Sequence, residues 1–155
     1  MRSLRFSVVL AGPLAAFFAA AALPAAADDL RTPPDPLYKE ECGSCHVAYP
    51  PQLLPQRAWD ELMSGLERHF GTNASLDPKT SEAIARYLAA HSMRRAVVTG
   101  APPRITDTRW FRKEHDEVPP HAWTRPAVKS PANCAACHAG AEDGQFSDDD
   151  VRIPR

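Results

Sequence analysis

The sequence predicts a mainly α-helical fold of two small modules that have little apolar core of their own. Three observations predict it. Apolar residues recur at helical spacing in short stretches along the 155-residue chain. Its 16 prolines, about twice the average frequency, cluster at 33–36, 50–55, 102–103 and 119–131, so only short helices can form. The pentapeptide Cys-x-x-Cys-His occurs twice, at Cys42 to His46 and at Cys134 to His138, once in each half, and the two copies use all four cysteines.

Taken in order, Met1 to Ala27 reads as a secretory signal. Arg2 and Arg5 form its basic end, Phe6 to Leu23 its apolar stretch, and Ala25 to Ala27 a small-residue cleavage site. The rival is an uncleaved membrane anchor, but Pro13 and Pro24 interrupt the apolar run. Cleavage leaves 128 residues with 16 basic against 19 acidic side chains, and nothing there suggests a nucleic-acid partner. The mature chain is expected to be a soluble protein of the bacterial periplasm.

The first module is expected over 28–98 and the second over 99–155. Asp35-Pro36 is a cap and first-turn pair for a helix that carries Leu37, Tyr38, Glu41, Cys42 and Cys45 and is ended by Pro50-Pro51. Trp59, Leu62, Met63, Leu66 and Phe70 predict one amphipathic helix closed by Gly71, with His69 on the edge of its apolar stripe. Asp77-Pro78 starts another, with Ile84, Tyr87, Leu88 and His91 on one face. Residues 99–104 read as a linker. Beyond it the helix signal is poorer: Thr106, Asp107 or Thr108 could cap a short helix with Trp110, Phe111, His115 and Val118 on one side, ended by Pro119-Pro120. Ser130-Pro131 caps a helical turn that holds Cys134 to His138. The Gly- and Asp-rich end, with Asp148 to Asp150, is expected to be a solvated terminus rather than a docking patch.

A Cys-x-x-Cys-His pentapeptide suits covalent haem, because two sulfurs on one helical turn reach the two vinyl groups while the histidine binds the iron. Zinc sites, redox dithiols and disulfides also use paired cysteines, but both copies here carry the histidine. Two haems held by Cys42, Cys45, Cys134 and Cys137 would supply the missing core, so the haem-free chain is expected to be largely unfolded. His46 and His138 fill one axial position on each iron. Candidates for the opposite faces are His69, His91, His115, His121, Met63 and Met93. His69 and His115 stand beside aromatics on apolar stripes; His91 fits nearly as well by periodicity, and Met63 lies where core packing is the plainer reading.

The ordered set Glu41 to Pro51, Leu66 to Gly71, Arg104 to Thr106, Trp110-Phe111 with His115, and Ala132 to His138 resembles the small periplasmic dihaem cytochromes c of bacteria. The resemblance spans nearly all of the mature chain. It implies a first half similar to a class I cytochrome c, an irregular second half, and bis-histidine ligation by His46 with His69 and His115 with His138. It also implies a single-electron carrier, with a small oxygen-binding c-type cytochrome as partner and a membrane b-type cytochrome as donor. Two imidazoles leave an iron no position for a substrate, which fits a carrier rather than an enzyme. The rival is a dihaem peroxidase-like or gas-sensing protein with one open iron site.

Overall fold

The computed structural model describes residues 30, 32–94, 98 and 100–155, so the signal segment and Thr99 of the linker lie outside the described residues. Among those described, the chain is mainly helical, and its only β-type pairings are isolated bridges. None of the helices among the described residues is long and apolar enough to cross a membrane.

Helix α1 spans Pro36–Gly43, and its start follows from local chemistry: the Asp35 carboxylate accepts the Tyr38 N–H at 2.8 Å, and Pro36 occupies a position that has no donor to satisfy. Helix α2 spans Gln56–Ser64 and buries Ala58, Trp59 and Leu62. Helix α3, Pro78–His91, repeats the Asp-Pro device at Asp77, which accepts from the Lys79 and Thr80 N–H groups. Ile84 and Leu88 are its buried face. The three helices meet in one core of Tyr38, Leu54, Ala58, Trp59, Leu62, Ile84 and Leu88. A Trp59 Nε1–H bond to the Pro51 carbonyl, 2.8 Å, ties the proline loop to that core.

The single helix expected over residues 59–70 is broken. It ends at Ser64, Gly65 closes it with an N–H bond to the Leu62 carbonyl at 3.1 Å, and Leu66–Arg68 form a separate 3-10 turn. A glycine inside a helix costs about 1 kcal/mol relative to alanine, and here the chain uses that weak point to turn. The Leu66 carbonyl accepts from both His69 and Ala74. Phe70 therefore leaves the apolar stripe: it takes φ +49°, is 39% exposed, and lies under the Arg104 guanidinium at 4.0 Å. Positive φ in a bulky residue costs on the order of 1–3 kcal/mol and persists where neighbours enforce it. The neighbour here is the His69-to-Thr72 turn, 3.0 Å, which fixes where His69 points.

The second half is built mostly of turns. Helix α4 is only Arg109–Glu114, capped by Thr108, whose hydroxyl accepts from Phe111 and donates to Ile105. It stops before Val118, so His115 sits at its C-terminal cap. Cys134–Ala136 is a 3-10 turn rather than a longer helix, and Ser130 caps the approach to it by accepting the Ala132 N–H. The terminus is not free in solution. Arg152 donates its N–H to the Cys137 carbonyl at 3.0 Å, Val151 bridges to His138, and Arg125 binds the Pro154 carbonyl at 2.6 Å.

The two halves differ in what holds them. Buried side chains in the second are Pro103, Thr108, Phe111, Ala122, Val128 and Ala141, of which Phe111 is the one aromatic ring. A variant with all four cysteines changed to alanine, and hence without haem, should lose most of its far-ultraviolet circular dichroism, the second half losing all amide-exchange protection. A native-like spectrum from it would contradict this.

Candidate haem sites

Cys42 stands in the last turn of α1 and packs against the first core, while Cys45 and His46 follow in the turn after it. The rings of His46 and His69 face each other with centres 6.1 Å apart and planes inclined by 24°. In the second half His115 and His138 are also 6.1 Å apart, with planes at 77°. A metal–imidazole bond is about 2.0 Å and the ring centre lies about 1.1 Å behind the nitrogen, so two imidazoles on opposite sides of one iron have centres about 6 Å apart. Both pairs fit that spacing, and neither crosses between halves.

Ring orientation is fixed by a shared device. His46 Nδ1 lies 2.7 Å from the Val47 carbonyl and His115 Nδ1 lies 2.8 Å from the Phe111 carbonyl. A carbonyl only accepts, so each ring donates from Nδ1 and keeps its lone pair on Nε2, the arrangement that suits a metal ligand. Burial, with the nearby His46, lowers the pKa of His69, and burial with His115 lowers that of His138 against the opposing pull of Asp148. Both shifts favour the neutral, ligating imidazole.

The other sequence candidates are engaged elsewhere. The His91 Nδ1 donates to the Tyr87 carbonyl at 2.9 Å, as in His115, but among the described residues its ring packs on Tyr87 and not opposite another imidazole. His121 Nε2 accepts from the Arg125 guanidinium at 2.9 Å, which uses its lone pair. Met63 packs against the first core, and the Met93 backbone pairs with Leu54 and Pro55.

The thiols argue against the rival metal chemistry. No disulfide joins the four cysteines. Burial, with the Glu41 charge adding to it, pushes the Cys42 thiol up to about 11, and burial likewise pushes Cys134 up to about 11. A reactive dithiol needs the opposite shift. Among the described residues, no three His, Cys, Asp or Glu side chains converge as a metal cluster.

Three aromatic neighbours escaped the sequence reading. Tyr49 stacks on His46, with centres 4.7 Å apart. Its position three residues after the histidine was the available signal. Trp123 lies 5.8 Å from His115, which also stacks on Phe111 at 4.0 Å. Phe146 lies 5.3 Å from His138, returned there by a turn at Gly144, φ +73°, that no spacing in the sequence announces.

A mainly helical chain with two Cys-x-x-Cys-His segments, each facing a second histidine, defines a c-type cytochrome with two haem sites. The family model described as dihaem cytochrome c matches residues 38–146, and the chain belongs to that family. It is 42% identical to a diheme cytochrome c from Shewanella baltica OS155, solved by X-ray crystallography, over 79% of this chain and 95% of that one, with a TM-score of 0.70. Two structures from Rhodobacter sphaeroides are each 44% identical. One, of purified DHC, covers 75% of this chain and 100% of that one with a TM-score of 0.66. The other, a diheme cytochrome c, covers 72% and 96% with a TM-score of 0.65. Comparison with curated proteins finds no match. The protein thus carries two haems c and is an electron-transfer haem protein.

Proposed function

We propose that Cys42 and Cys45 tether one haem and Cys134 and Cys137 the other, with His46 and His69 as axial ligands of the first and His138 and His115 of the second. The modules 28–98 and 99–155 then carry one haem each. The observation that carries this reading is the pair of opposed imidazoles at 6.1 Å in each half. Haem would supply a one-electron couple; this chain's residues would fix the imidazole planes and cover both faces of each iron, leaving a substrate no way to reach it. A second imidazole in place of methionine removes a ligand that raises the reduction potential, so both potentials should lie below those of a His/Met cytochrome c.

In this reading the protein works in the periplasm, carrying single electrons from a respiratory or membrane donor to a partner haem protein across a small, transient interface. The secretory character of residues 1–27 and the covalent haem chemistry support that address. The family resemblance suggests a membrane b-type cytochrome as donor and a small oxygen-binding c-type cytochrome as acceptor. Carbon monoxide separates this from a peroxidase-like or gas-sensing protein: added to the reduced holoprotein, it should leave the visible spectrum unchanged. Rapid binding at one haem would replace the carrier with the open-site reading.

A further inference from the structure

We propose that Tyr49 is a positioning residue that couples the two haem sites, setting the plane of the His46 ring and holding the second haem-attachment segment against the first. The inference rests on the ligation proposed above. The phenol ring stacks on His46 with planes inclined by 20°, and its hydroxyl donates to the Ala132 carbonyl at 2.6 Å. Ala132 stands two residues before Cys134, and its carbonyl also faces the Cys134 Sγ at 3.8 Å. One side chain thus touches an imidazole of the first site and the backbone that leads into the second.

Tyr49 is itself anchored. Tyr38, 5% exposed in the first core, donates its hydroxyl to the Tyr49 carbonyl at 2.6 Å. With Nδ1 held by the Val47 carbonyl and one face covered by Tyr49, the His46 ring cannot rotate about its long axis without losing a contact. Another tie between the halves, Lys39 to Asp143 at 3.4 Å, is exposed at both ends, and pairs of that kind contribute little.

Exchange between the two sites moves one electron from a ferrous to a ferric iron and no proton, and its rate falls steeply with separation. Two variants of the holoprotein separate the two roles. Tyr49→Phe keeps the stack and loses the bond to Ala132: intramolecular exchange after flash reduction should slow severalfold while the electron paramagnetic resonance of both haems stays as in the wild type. Tyr49→Leu loses both contacts, and the signal of the near-parallel site should shift as well. Wild-type exchange in Tyr49→Phe, or wild-type signals in Tyr49→Leu, overturns the assignment while the low-spin wild type leaves the ligation standing. A high-spin wild-type signal would remove both.

Discussion

Replacing His115 by alanine should turn one of the two haems high-spin and leave the other low-spin, so that half of the haem becomes competent to bind carbon monoxide. The neighbourhood explains why nothing repairs the loss. His115 lies between Phe111 and Trp123, at 4.0 and 5.8 Å, and neither ring offers a nitrogen lone pair. His121 is the next imidazole along the chain, but its Nε2 accepts from Arg125. His69→Ala should do the same to the other haem, whereas His91→Ala should leave both low-spin, because that ring packs on Tyr87 rather than opposite His46 or His138. Added imidazole should restore the low-spin form in both affected variants, which distinguishes a missing ligand from a misfolded half. A His115→Ala protein that stays low-spin at both irons refutes the second pair.

The two sites should also differ from each other in the oxidised state, and by a large margin. Imidazole donates π-density perpendicular to its ring plane. In the first pair the planes are only 24° apart, so as ligands of one iron both rings would act on the same d orbital and split it from its partner. In the second they stand at 77°, so each ring would act on a different orbital and the two would remain nearly degenerate. The expected result is one low-spin iron of each kind, one with a rhombic and one with a strongly anisotropic resonance. The difference has identifiable causes: Tyr49 and the Val47 carbonyl hold His46, while Phe111 by its ring and its carbonyl holds His115.

Much of this was legible in the sequence because it depends on local chemistry. The Asp-Pro caps of α1 and α3 act within a few residues, and both start where those dipeptides stand. The ligand candidates were legible for a similar reason, since a histidine beside aromatics on an apolar stripe is a local pattern. What was not legible required long-range pairing. Gly65 lies within the span expected as one helix, yet it ends α2 and lets the following turn deliver His69. The acidic terminus looked solvated because its composition is polar, but its backbone returns to Cys137 and His138, which no residue type encodes. The Tyr49–Ala132 bond spans 83 residues, beyond the reach of any periodicity.

Low-temperature electron paramagnetic resonance of the fully oxidised holoprotein tests most directly whether imidazole caps both faces of both irons. The account predicts two low-spin signals of equal integrated intensity, one rhombic and one strongly anisotropic, with no high-spin resonance. A high-spin signal equivalent to one haem would contradict it.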